Sequence, residues 1–119
     1  MKVINTTLHA VLDYLSAIVL VACPWVLRFN ESTTATAVAV FAGILIFIMS
    51  ILTDYEGGSI HIIPMRVHLN IDLILGILLA ASPWILGFKD EVYVPHLALG
   101  IIAIIASLFT VRTSPAQVI

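Results

Sequence analysis

Four long apolar stretches alternate with short polar breaks along the chain. They run from about Leu8 to Leu27, Ala35 to Thr53, Met65 to Leu86 and Val94 to Val111. Each approaches the ~20 apolar residues that a membrane-spanning helix requires. Asn5, Thr6 and Thr7 supply cap chemistry before the first stretch, and Pro64 suits the first turn of the third. The breaks are Arg28-Phe29-Asn30-Glu31-Ser32, a longer segment from Thr53 through Gly57-Gly58 to Ile63, and Gly87 to Glu91. Arg112 to Ile119 forms a short tail.

The third stretch repeats the first. HAVLDYLSAIVLVACPWVLRF, His9 to Phe29, aligns with HLNIDLILGILLAASPWILGF, His68 to Phe88, with nine of 21 positions identical. The fourth repeats the second: Ala42-Gly43 matches Leu99-Gly100, and Ser50-x-x-Thr53 matches Ser107-x-x-Thr110. The pattern predicts an all-α integral membrane protein with four transmembrane helices, built as two tandem helical hairpins. The 119 residues form a single membrane domain, with repeat 1 over about 1–58 and repeat 2 over about 59–119. Each hairpin crosses twice, so both have the same orientation. Their pseudo-twofold axis then lies along the membrane normal.

Composition places the surface in lipid. Only 10% of residues are charged, 61% are hydrophobic and the mean hydropathy is +1.16, against roughly 25% charged residues in soluble domains. A net charge of −2 without a basic run argues against a nucleic-acid partner. The bilayer is the first partner, with a homo-oligomer or another membrane protein as further possibilities. Lys2, Arg66 and Arg112 fall on one side and Arg28 and Lys89 on the other. The positive-inside rule then places both termini in the cytoplasm of an inner-membrane protein.

One cysteine excludes an internal disulfide and a cysteine-rich zinc site. Leu20-Val21-Ala22-Cys23 has the form of a lipoprotein cleavage box, but His9 and Asp13 interrupt the apolar region before it. The second copy has Ser82 in place of Cys23, inside the chain where no signal is removed. The segment therefore reads as a retained helix.

Candidate chemistry is confined to His9, Asp13, His68 and Asp72. A spacing of four puts each His-Asp pair on one helix face. Ala17 in one copy, and Gly76 and Ala80 in the other, continue that face with small residues, which turns it into the bundle. A carboxylate facing lipid would cost at least ~2.5–3.5 kcal/mol. The first and third helices are thus expected to bring the four side chains together, ~8 Å inside the helix start at 1.5 Å per residue. Arg66, Arg112, Asp54, Tyr55 and Glu56 lie on the same side and are candidates to join them.

The leading interpretation is a polar latch that specifies which helices pair. The alternative is a divalent metal such as zinc, for which two imidazoles and two carboxylates are suitable donors. Axial haem ligation by the paired histidines fits less well beside the aspartates, and a proton relay has little room in four short helices. No nucleophile–base pair or phosphate loop is evident, so an enzyme is not expected. Pro24, Trp25, Ser82, Pro83 and Trp84 read as a structural motif, with prolines near helix ends and indoles at the interface. Ser82 is placed to satisfy the carbonyl freed by Pro83, as Cys23 does more weakly for Pro24. His61 and His96 are expected at the interface. The ridge Ala35-Ala39-Gly43 suits helix contact within or between monomers.

Ala81-Ser82-Pro83-Trp84-Ile85-Leu86-Gly87-Phe88 resembles the signature of the SPW-repeat integral membrane proteins. His9-x-x-x-Asp13-Tyr14, Thr53-Asp54-Tyr55-Glu56 and Ile63-Pro64-Met65-Arg66-x-His68 are similar to members with two repeats. The resemblance covers nearly the whole chain and departs at Cys23 and Arg28. It implies a small bacterial membrane protein of two tandem helix pairs and carries no established activity.

Overall fold

The computed structural model describes residues 2–112. Residues 113–119, in the tail, lie outside that range. The described chain folds into α1 (Thr6–Val26), α2 (Thr33–Leu52), α3 (Met65–Ile85) and α4 (Val94–Phe109). Asn5 caps α1 by accepting from the Leu8 amide at 2.7 Å. Ser32 caps α2, which therefore starts two residues before the apolar pattern does.

The helix ends reveal crosswise bracing. The Ile4 amide donates to Phe109 O at 3.0 Å and the Val111 amide to Ile4 O at 3.0 Å. Likewise, the Ile63 amide donates to Leu52 O at 2.8 Å and the Asp54 amide to Ile63 O at 2.7 Å. The lead-in of each repeat thus pairs with the exit of the other. This pairing stops α2 before Thr53 and α4 before Thr110, since those residues adopt extended backbone.

α1 packs along α2, and α3 along α4; the hairpins then join through α2 with α3 and α1 with α4. α1 and α3 are diagonal partners that reach each other through side chains. The small ridges act within the hairpins. A Cβ on Gly43 would lie 2.8 Å from Ala17 O, and one on Gly76 would lie 2.9 Å from Gly100 O. The small residues following each His-Asp pair therefore fit against α2 and α4, and the His-Asp face points into the bundle as expected. Ala35 and Ala39 are fully buried in the same core.

The outer surface is apolar. Phe41 is 69% exposed, Ile18 64% and Ile74 58%, a surface suited to lipid. α1, α2 and α3 are each long and apolar enough to cross a membrane. α4 has 16 residues, or ~24 Å at 1.5 Å per residue, so its span falls short of a ~30 Å hydrocarbon core.

The two turns share a conformation at one position but not the residue. Arg28 and Gly87 occupy equivalent positions beyond α1 and α3, and both have positive φ, 61° and 76°. Gly87 adopts that conformation without strain, whereas the Cβ of Arg28 is crowded against the following carbonyl oxygen.

Gly100 carries the tightest helix contact, for a Cβ there would lie 2.5 Å from the Ala80 amide nitrogen and 2.7 Å from Gly76 O. Both obstacles are backbone atoms and cannot rotate away. Gly100→Ala should cost ~1–3 kcal/mol through overpacking. Thermal unfolding in mild detergent measures this, and an unchanged midpoint would refute the close approach.

Candidate functional site

The structure brings His9, Asp13, His68 and Asp72 into one buried group. One donor atom from each lies within 4.8 Å of the others. His9 Nε2 is 2.9 Å from Asp72 Oδ2 and 3.2 Å from Asp13 Oδ1. His68 Nε2 is 3.0 Å from Asp13 Oδ2 and 3.1 Å from Asp72 Oδ2. Each histidine thus contacts the aspartate of its own helix and that of the other. The two imidazoles meet edge to face, with centroids 5.5 Å apart at 79°.

Two threonines orient the rings. Thr53 Oγ1 donates to Met49 O at 2.6 Å, and Thr110 Oγ1 donates to Ala106 O. Each hydroxyl has a single hydrogen, so its oxygen is left to accept from a ring N–H. His68 Nδ1 lies 2.6 Å from Thr53 Oγ1, and His9 Nδ1 lies 2.8 Å from Thr110 Oγ1. Nδ1–H is the donor in both cases, which turns Nε2 toward the carboxylates. The threonines come from the repeat opposite their histidine. Their signal lies in the repeated Ser-x-x-Thr, a match between the repeats that spacing alone does not tie to the site.

Of the neighbours considered, Tyr55 joins the group. Its hydroxyl is buried and donates to Asp13 Oδ2 at 2.9 Å. Burial, with the Asp13 carboxylate beside it, raises the pKa of Tyr55 above its ordinary value and keeps this donor protonated. The equivalent position in repeat 2 is Arg112, which instead reaches Asn70 Oδ1 at 3.1 Å. Arg66 is exposed, Asp54 pairs with His61 at 2.8 Å, and Glu56 accepts from Thr6 at 2.7 Å. None of these four joins the quartet: Arg66 is exposed on α3, Arg112 is turned to Asn70, and the linker holds Asp54 and Glu56 on other partners while packing Tyr55 against Ala10 of α1.

The shape of the site limits its chemistry. A cavity of about 20 Å³ touches Asp13 and Asp72, between Leu12, Ser16 and Ala103. That volume holds a single water. An organic substrate does not fit there, whereas a network of protons or one small ion does.

His96, in the first turn of α4, is enclosed by protein. It is fully buried at the opposite end of the bundle, where Nε2–H donates to Ala35 O at 2.9 Å. Phe29 and Phe88, equivalent residues of the two repeats, flank its ring at 5.5 and 4.8 Å. The apolar helix start conceals it because the two phenylalanines come from distant turns.

Beside the prolines, Ser82 Oγ donates to Leu79 O at 2.7 Å and Cys23 Sγ to Leu20 O at 3.5 Å. Those carbonyls are the ones that Pro83 and Pro24 leave without an i+4 amide. The hydroxyl of Ser-Pro-Trp thus repairs the helix, while the thiol does so with a longer, weaker bond. Trp25 and Trp84 are half exposed near the turns, where indoles meet the headgroup region.

No curated protein and no solved structure matches the chain. The SPW repeat domain model matches residues 7–110. That span contains the quartet, both threonines and both Pro-Trp pairs, and the chain belongs to the SPW repeat family.

Proposed function

We propose that the protein is a structural or interaction component of the bacterial inner membrane, with the His-Asp quartet as the latch that closes its two repeats. The observation carrying this reading is the exchange of partners: His9 reaches Asp72, and His68 reaches Asp13, at 2.9 and 3.0 Å. Contacts within a helix stabilise that helix alone. Contacts across the diagonal select how two hairpins dock, and in lipid no hydrophobic force does this for them. The small cavity beside the carboxylates also favours a closed junction over a catalytic pocket. The apolar outer faces then remain available to lipid, a second copy or another membrane protein.

His68→Ala and Asp72→Ala should each lower stability by ~1–3 kcal/mol, since either change strands a buried polar partner. Ile74→Ala, on the exposed face of α3, serves as the control and should unfold near the wild-type midpoint. If both quartet variants unfold like wild type in detergent, the latch reading is wrong.

The charge distribution supports cytoplasmic termini, with Lys2, Arg66 and Arg112 on that side. A fluorescent-protein fusion to the C-terminus should then fluoresce in intact cells. A dark, correctly inserted fusion would reverse this topology.

A further inference from the structure

We infer that the quartet is a closed binding site for one divalent transition-metal ion of the zinc class, held by His9 Nε2, His68 Nε2 and one carboxylate oxygen each from Asp13 and Asp72. The inference rests on the reading of the quartet as the junction between repeats, because a metal bound there would crosslink α1 to α3.

The geometry begins with an unmatched atom. His68 is fully buried, and its Nε2 lies 3.0 and 3.1 Å from two carboxylate oxygens without an aligned hydrogen bond to either. His68 Nε2 therefore approaches two oxygens without settling on either, while His9 Nε2, 2.9 Å from Asp72 Oδ2, holds a hydrogen bond that a metal ion would replace. All four donor atoms converge within 4.8 Å. Nitrogen lone pairs and carboxylate oxygens repel one another unless positive charge separates them. Ring protons supply it in the metal-free quartet, where His9 Nε2 is hydrogen-bonded to Asp72 Oδ2, and a metal ion at the point of convergence supplies it by displacing them.

The surrounding residues are arranged as those of a metal centre are. Ligating histidines donate their other ring N–H to an acceptor that fixes the tautomer and the ring plane. Thr53 and Thr110 do this for Nδ1 of His68 and His9, each hydroxyl being anchored to a helix carbonyl. Tyr55 donates to Asp13 Oδ2, leaving Oδ1 on the His9 side.

Charge and donor type choose the ion. Two neutral imidazoles and two carboxylates sum to −2, so a divalent cation leaves the buried site neutral. A monovalent or trivalent ion would leave a net charge in an apolar surrounding, at high cost. Calcium needs six to eight oxygen donors and magnesium a near-ideal octahedron with several waters, which this compact N₂O₂ group does not offer. Zinc accepts four imidazole and carboxylate donors in a tetrahedron.

The test uses the full-length chain in mild detergent, stripped with a chelator and then given zinc or cobalt(II) alone. One metal per chain should remain after desalting, and cobalt should produce the intense visible bands of a tetrahedral site. Asp72→Asn should lose that stoichiometric metal, and zinc should raise the unfolding midpoint of wild type but not of the variant. Thr53→Val should retain the ligands and bind zinc ~10–100-fold more weakly, the usual effect of removing a histidine's supporting hydrogen bond. The inference is overturned if wild type retains no metal, if cobalt is bound without tetrahedral bands, or if Asp72→Asn binds zinc as tightly as wild type. The cobalt spectrum of wild type decides the matter even if a variant fails to fold. The two readings separate in the metal-free protein. If wild type takes no metal while metal-free Asp72→Asn unfolds early, the latch stands and the metal site falls. A wild-type midpoint for metal-free Asp72→Asn, with metal bound by wild type, has the reverse meaning.

Discussion

Polar side chains enclosed by apolar helices have only one another for solvation, and the bundle is arranged around that constraint. His9, Asp13, His68 and Asp72 are 7% exposed or less. An ionisable group in such a place is costly unless paired. Neither repeat can provide a complete set, because the nearest partner of each histidine lies on the other hairpin. Thr53 and Thr110 extend the same exchange, each reaching the histidine of the opposite repeat. The backbone follows suit, with Ile4 and Ile63 each paired to the exit of the other repeat.

Packing within the hairpins sets the stage for this junction. Gly43 against Ala17, and Gly76 against Gly100, bring antiparallel helices close without large side chains between them. Each hairpin is then a compact unit, with residues such as Ile18, Phe41 and Ile74 facing outward. The polar corner of α1 and that of α3 are left to find each other across the diagonal. At the quartet symmetry is broken by Tyr55, which donates to Asp13, while Arg112, its counterpart, turns to Asn70. The two carboxylates therefore differ in environment although their helices are copies.

The helices, the duplication and the convergence of the two His-Asp pairs were legible in the sequence because each rests on a periodic signal. Spacing of four places His9 over Asp13, and the repeat copies that face to His68 and Asp72. What the sequence did not show is which contacts cross between repeats, since that depends on how the hairpins dock. Ala17 and Gly76 illustrate the limit. Their smallness announced a close helix contact, but not that the partners would be α2 and α4. His96 illustrates another: its burial comes from Phe29 and Phe88, one from each turn, and local pattern holds no trace of them. Thr53 is an intermediate case: its match with Thr110 marks a shared role, but spacing alone does not tie either residue to a histidine.

The central claim is that His9 and Asp72 couple the two repeats. A double-mutant cycle on the full-length chain, using His9→Ala, Asp72→Ala and the double variant, measures that coupling in reversible detergent unfolding. The coupling energy should exceed the ~0.6 kcal/mol average for interhelical bonds in membranes and approach the ~1.7 kcal/mol upper range. Additive effects, within the ~0.3–0.5 kcal/mol seen for independent sites, would contradict it.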